Sequence, residues 1–304
     1  MKKEPIDIGS VTTRVRQICI EDKYSEQNIK EKVTNAVLEA IETGLKSSFD
    51  FAVQNVTTYL NTIATHESKQ IRINQIKHMS PEDLVIHMFM VVIPHTELTP
   101  LQGVVAKLAT YLKFDNIFDG IQTASELLSV CRTCGVYTMY REPVSIQSNV
   151  TFNKEILDFI EETQYLMPML CEPKGWTNNN SGGYLSICTS LLLKQYNHHN
   201  HNQAYDVINT LQKIEWELDE NVMLETEQPK KPLDTVEKVT AWNQYLESSK
   251  RVCNNMLNAG NSFWLMWQYD FRGRAYSHGY HINLQSTSYK KAALNFKKKQ
   301  LITG

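Results

Sequence analysis

Apolar residues return every three or four positions through most of the first two thirds of the chain, the spacing that gathers them on one face of an α-helix. In YSEQNIKEKVTNAVLEAIETGL, Ile29, Val33, Ala36, Val37, Ala40, Ile41 and Leu45 keep that period. Ser25, just ahead, is placed to accept a hydrogen bond from a free first-turn N–H. SPEDLVIHMFMVVIP predicts another helix, with Ser80 as its cap and Pro81 at the first position, where a missing N–H is harmless. TPLQGVVAKLATYL repeats the device with Thr99 and Pro100. Further on, AYDVINTLQKIEWELDENVMLE sets Val207, Leu211, Ile214, Leu218 and Val222 on one stripe and predicts a long helix. TEQPKKPLD breaks it, and TVEKVTAWNQYLESSKRVCNNMLNAGNSF predicts a second helix returning antiparallel, a pair fit to project as an arm.

The period changes in three places. REPVSIQSNVTFN offers short alternating runs, which predict a small β-hairpin over Val144–Phe152 with its turn at Gln147-Ser148-Asn149; a plain loop is the alternative. In PMLCEPKGWTNNNSGGYLSI, two prolines, three asparagines and Gly182-Gly183 predict a tight reversal acting as a structural brace. FWLMWQYDFRGRAY has strand composition. In an extended chain Arg272 and Arg274 share one face with Asp270, and Gly273 leaves bare backbone that a bulky ligand can approach. Two guanidiniums on one face repel unless an anion lies between them; phosphate, which Arg grips through two parallel hydrogen bonds, is a natural one. Asp270 would orient one of the arginines. After the turn, Ser286, Thr287 or Ser288 caps a helix carrying Lys290 and Lys291. The alternative is an ion-paired surface strand.

Charge sharpens this picture. From Lys250 onward there are nine Lys or Arg and one acid, so the preceding residues hold 22 of the chain's 31 basic and 32 of its 33 acidic residues. A basic end on an acidic body suggests one surface facing a polyanion. The chain's 304 residues suffice for one large domain or two to three small ones. No signal peptide or membrane-spanning run is evident, and the six cysteines fit a reducing compartment, so the expectation is a soluble intracellular protein with no membrane partner. Cys131 and Cys134 form the only CxxC and read as part of a buried helix rather than a zinc pair; His198, His199 and His201 read as a polar loop rather than a metal site.

At this point the residues invite comparison with a known family. DFRGRAY followed by NLQSTSYKKAALNF resembles the signature of single-subunit DNA-dependent RNA polymerases of the phage T7 and mitochondrial type. In that family an Asp-aromatic-Arg-Gly-Arg-x-Tyr strand opens the palm, and an Asn-x-Gln turn leads into a Lys-bearing helix. PMLCEPKGWTNNNSGGYL is similar to the family's upstream Pro-Met…Pro-x-Pro-Trp-Thr…Gly-Gly-Tyr segment, although Glu172 and Lys174-Gly175 depart from its prolines. VINTLQKIEWELDENV and VTAWNQY lie where the family has thumb helices. The resemblance implies a mainly α fold with small β-hairpins: an N-terminal domain over 1–200, reduced thumb helices over 201–258 and the start of a palm over 259–304. It implies that Arg272, Gly273, Arg274, Lys290 and Lys291 bind nucleic acid, the arginines at the template strand or RNA–DNA hybrid, with Asp270, Tyr276, Asn283 and Gln285 in support. The family's two metal-binding aspartates and its His-Asp-Ser turn have no counterpart, so the chain itself is expected to hold no catalytic or metal-ligating residue.

The resemblance therefore implies the N-terminal part of a divided enzyme, like the two-chain RNA polymerase of bacteriophage N4. A second subunit would carry the rest of palm and fingers and bind Mg²⁺ through its aspartates. DNA template and RNA transcript would be partners, with an accessory promoter-opening factor, in the cytoplasm of an infected bacterial host. A palm interrupted this early would leave an open sheet edge and exposed aromatics near Phe263, Trp264 and Trp267. Two other readings stand beside this one: a freestanding helical nucleic-acid-binding or transcription-regulatory protein, and a fragment of a longer polymerase.

Overall fold

The computed structural model of the chain describes residues 8–187, 189–193 and 203–299. The histidine cluster at 198–201 lies outside them. The described residues are mainly helical with short antiparallel strands, and none of their helices is long and apolar enough to cross a membrane. Two compact units emerge, Ile29–Glu161 and a second made of Met1–Asn28 with Glu162–Gly304. The partition at 200 and 258 expected from the resemblance follows a different criterion from compactness.

Helix α1 (Ile8–Lys23) belongs with the C-terminal part of the chain. The helical unit is built from α2 (Glu26–Ala40), a π-turn over Ile41–Leu45, α3 (Lys46–Asn61), α4 (Glu67–Ile76) and α5 (Pro81–Val92). Strand β1 (Thr99–Pro100), α6 (Leu101–Leu112), α7 (Ile117–Val130), strands β2 (Tyr137–Arg141) and β3 (Val144–Ser148), and α8 (Lys154–Glu162) follow. Val33, Ala36, Val37 and Ile41 are buried as their period predicts. Ser25 Oγ accepts from Asn28 N–H at 3.2 Å, and Ser80 Oγ from Asp83 N–H at 3.2 Å, so both predicted caps form. Val56, Ile73, Leu84, Met88, Phe89, Leu108 and Leu127 have no exposed surface, and each stabilises the unit by roughly 1.5–3 kcal/mol. Beside them the Arg72 guanidinium, 3% exposed, meets Glu126 at 2.6 Å, which also accepts from the Tyr59 hydroxyl at 2.7 Å.

Two expectations in this unit change. Thr99 does not cap α6: its hydroxyl donates to Glu97 O, and Thr99 and Pro100 pair with Ile146 and Ser145 instead. A hairpin forms, but its turn is Glu142-Pro143, and Gln147 and Ser148 lie inside β3, paired with Thr138 and Tyr137. With β1 as a third strand, in order β1-β3-β2, Gln147–Asn149 is not a tip. Cys131 ends α7 and Cys134 sits in the following turn, both buried, and burial raises both thiol pKa values, Cys131 to about 12.

The second unit joins α1 to α9 (Tyr205–Gln212), β4 (Glu215–Leu218), α10 (Glu220–Met223) and α11 (Val236–Asn258). Then come β5 (Phe263–Trp264), β6 (Trp267–Tyr269), β7 (Ala275–Ser277), α12 (Ser288–Ala292) and β8 (Leu294–Phe296). The long helix predicted through 204–225 does not form. After α9 the chain extends as β4, because Trp216 and Leu218 alternate into the core while the backbone pairs with β5 on one side and β8 on the other. On α9 it is Ile208 and Gln212 that are buried, and Val207 is exposed. The projecting antiparallel pair is thus reduced to α11. Phe263 and Trp267, expected to lie exposed, are buried in the unit's own core.

The brace at 168–187 is real. Trp176 is buried, donates from Nε1 to Gln212 Oε1 at 2.8 Å, and has its backbone held on both sides by the Asn209 amide. Gly182 is required there, since a Cβ would come within 2.5 Å of the Trp176 ring. The loop's other end is held by Glu21 of α1, fully buried, whose carboxylate accepts from Leu185 N–H at 2.9 Å and from the Ser186 hydroxyl at 2.7 Å. Burial pushes the Glu21 pKa up, but the hydrogen bonds from Leu185, Gln17 and Ser186 outweigh it and leave the carboxyl below its ordinary value.

Candidate nucleic-acid interface

Strands β6 and β7 pair antiparallel, Tyr269 opposite Ala275, and the five residues between them make a hairpin tip. Asp270, Arg272, Gly273 and Arg274 therefore sit in a turn and not along an extended strand. The arginines still converge, for a different reason. Asp270 Oδ1 accepts the backbone N–H groups of Arg272 and Arg274 at 2.9 and 3.0 Å. Its Oδ2 takes Arg274 Nη2 at 2.6 Å and Nε at 2.7 Å, with Arg272 Nε at 3.6 Å. Burial raises the Asp270 pKa, but the hydrogen bonds and charge of Arg274 outweigh it and leave the carboxyl below its ordinary value.

One carboxylate thus serves two guanidiniums and leaves the tip with an excess positive charge. Asp270 is 12% exposed, but Arg272 and Arg274 are 57% and 51% exposed, so much of each guanidinium side chain still faces solvent. Gly273 adopts φ +74, a left-handed conformation, and a Cβ there would touch nothing. Its need is the turn itself, not close approach by a ligand.

The other nominated residues take distinct places. The Tyr276 ring lies under the Arg274 guanidinium, 5.5 Å from its centroid, with its hydroxyl 3.5 Å from Asp270 Oδ2. Gln285 Oε1 accepts from Ser277 N–H at 3.0 Å, and Asn283 Nδ2 donates to Gly279 O at 2.7 Å and Ser277 O at 3.3 Å. The Asn-x-Gln turn therefore closes the outer edge of β7. Thr287 caps α12, accepting from Lys290 N–H at 3.2 Å. Lys291 is exposed, whereas Lys290 is buried: its ammonium donates to Tyr280 O at 2.6 Å and lies over the Tyr245 and Tyr280 rings. Burial lowers its pKa, with Glu227 acting against the shift. Lys290 is a floor residue, not a solvent-facing phosphate contact.

Tyr276, Asn283, Gln285 and Lys290 come together on one groove of about 750 Å³, whose far side is α11 and the segment before it. Trp242 and Tyr245 of α11 line it, as do Lys230, Lys231 and Lys238. Lys238 is ion-paired with Asp234. Glu227, at the base, is buried and accepts from the Thr287 hydroxyl at 2.6 Å and from the Tyr245 hydroxyl. These residues escaped the sequence reading. Their signals were the lysine pair between Pro229 and Pro232, and two aromatics one turn apart on α11.

Among the described residues no group of three or more His, Cys, Asp or Glu side chains could hold a metal ion. Neither a protein-family model nor a curated protein matches the chain.

Proposed function

We propose that the chain is the nucleic-acid-binding, non-catalytic subunit of a two-chain DNA-dependent RNA polymerase of the T7 and mitochondrial type. In this reading, residues 259–304 open the palm, α11 is what remains of a thumb, and a second subunit brings the Mg²⁺-binding aspartates that nucleotidyl transfer needs. The enzyme would work on DNA template and RNA transcript in the cytoplasm of an infected bacterial host, with an accessory factor to open promoters. The observation that carries the reading is the hairpin tip: two half-exposed arginines, oriented by one sunken carboxylate, beside a groove lined by the Asn-x-Gln turn. Such a tip can grip a phosphate through planar forks without first ordering the side chains.

One observation favours the second reading, a freestanding nucleic-acid-binding protein. Phe263 and Trp267 are covered by the chain's own core and Trp264 is half-buried, so among the described residues these three leave little aromatic surface for a partner to cover.

Arg274→Ala tests the interface. On one preparation, melting temperature and the salt dependence of template affinity are measured. The expected result is a salt slope lower by about one unit with little change in melting. A destabilised variant with unaltered affinity and slope would instead mark the cluster as structural.

A further inference from the structure

The groove beside the hairpin has a chemistry of its own. Four aromatic rings, Trp242, Tyr245, Tyr276 and Tyr280, line it among polar side chains; of its four lysines Lys238 is paired with Asp234, and the one lining carboxylate, Glu227, is already engaged by Thr287 and Tyr245. The charge is therefore positive and the walls are flat rings. Lys230 and Lys231 are exposed at the rim, and the prolines on either side of them restrict the backbone that carries them. Trp242 is half-buried, unlike Trp176, Trp216 and Trp267. Its ring is tilted 35° against Tyr245 at 5.0 Å, and Tyr245 is in turn anchored to Glu227, so Trp242 rests on a braced support. At about 750 Å³ the groove falls in the size range of ligand sites.

A duplex or hybrid shows its phosphates outward and its bases only edge-on. Flat rings at the bottom of a basic groove are instead suited to a base that has left its stack, because every base offers a π-face whatever its sequence. We propose that this groove holds an unpaired nucleotide of single-stranded nucleic acid, the base against Trp242 and the flanking phosphates against Lys230 and Lys231. The inference rests on the nucleic-acid-binding function proposed above, but it assigns a separate subsite, for unpaired bases, away from the phosphate-gripping hairpin tip.

The test uses the full chain and needs no second subunit. Oligothymidylate, oligouridylate, an abasic strand of the same length and a blunt duplex are titrated against the wild type, Trp242→Phe, Trp242→Ala and the double variant Lys230→Ala, Lys231→Ala. Melting curves check that each variant folds. Base-bearing single strands are expected to bind more tightly than the abasic strand and to quench tryptophan fluorescence. Trp242→Ala should weaken that binding roughly 5- to 150-fold, the range of base–aromatic stacking, while Trp242→Phe keeps most of it. The lysine double variant should lower the salt slope on single strands by about 1.4. Equal affinity for base-bearing and abasic strands, with Trp242→Ala unchanged, overturns the inference and leaves the hairpin reading standing. Absence of binding to any polynucleotide overturns both. A preference of oligouridylate over oligothymidylate, or the reverse, within a base-dependent signal identifies the strand as RNA or DNA and supports the inference.

Discussion

Replacing Glu21 by Gln changes one oxygen to an amide nitrogen and leaves the side chain's shape intact. In the native chain both oxygens are acceptors. Oε1 receives Leu185 N–H and Gln17 Nε2, each at 2.9 Å; Oε2 receives Ser186 N–H, the Ser186 hydroxyl and Ile187 N–H. Whichever oxygen becomes NH₂ then faces donors. The cheaper arrangement puts the amide nitrogen at the Oε1 place and orphans two donors. Gln17 cannot turn round to help, because its own Oε1 accepts from Leu170 N–H at 2.8 Å. At about 1–3 kcal/mol per buried donor left without an acceptor, the loss for two donors is roughly 2–6 kcal/mol. For a chain of this size that corresponds to a fall of about 5–15 °C in the transition of the unit containing α1. Circular dichroism reads the transition, and hydrogen exchange reads the amides of Leu185–Ile187. The effect has a pH signature. The folded-state pKa of Glu21 lies below its ordinary value of 4.5, so its stabilisation is complete above that value and is lost as pH falls through the folded pKa. The variant should lack this acid-side loss. A variant that melts within about 1 °C of wild type, with equally slow exchange at Leu185–Ile187, would refute the argument.

Two further substitutions probe the frame around the site and the helical unit. Glu126→Ala leaves Arg72 buried without its carboxylate and should cost about 3–5 kcal/mol in urea unfolding. Burial raises the Glu126 pKa, while Tyr59, Arg72 and Lys69 bring it below the ordinary value, so wild type should lose this stabilisation only as pH falls through the folded pKa. Gly182→Ala pushes a methyl to 2.5 Å from the Trp176 ring and should destabilise by about 1–3 kcal/mol with a shift in tryptophan emission; an unchanged melt and spectrum would mean the loop simply yields.

What could be read from the residues divides along local and long-range physics. Ser25 and Ser80 cap their helices as expected because an N-cap is settled within four residues. The stripe at Val33–Ile41 is buried because a single period accounts for it. Residues 215–218 mislead because Leu211, Ile214 and Leu218 satisfy a helical period, while Trp216 and Leu218 equally satisfy a strand. Pairing with Leu294–Phe296, almost eighty residues away, decides between them. In the same way Ile146 inside β3 is paired with Thr99 as well as Met139, and that third strand holds residues 147–148 in the sheet where composition suggested a turn. At the site, the placing of Asp270 beside the arginines to orient one of them was legible, but the geometry was not: a turn stabilised by two backbone N–H bonds to a carboxylate replaces the extended strand. Lys290 and Lys291 are adjacent in sequence, yet the first is buried over two tyrosine rings and the second is exposed, a difference set by which face of a five-residue helix meets Tyr245 and Tyr280. The groove itself depends on residues 230–245 facing 276–290, and no local pattern announces that.

Template-directed nucleotide incorporation, measured with this chain alone and with the proposed second subunit, is the decisive assay for a divided polymerase. No RNA synthesis is expected from the chain alone, and Mg²⁺-dependent synthesis is expected from the two together on a premelted template. With Arg274→Ala, assembly should survive while elongation falls. RNA synthesis by the purified chain without a companion, or wild-type elongation by the Arg274→Ala complex, would contradict the proposal.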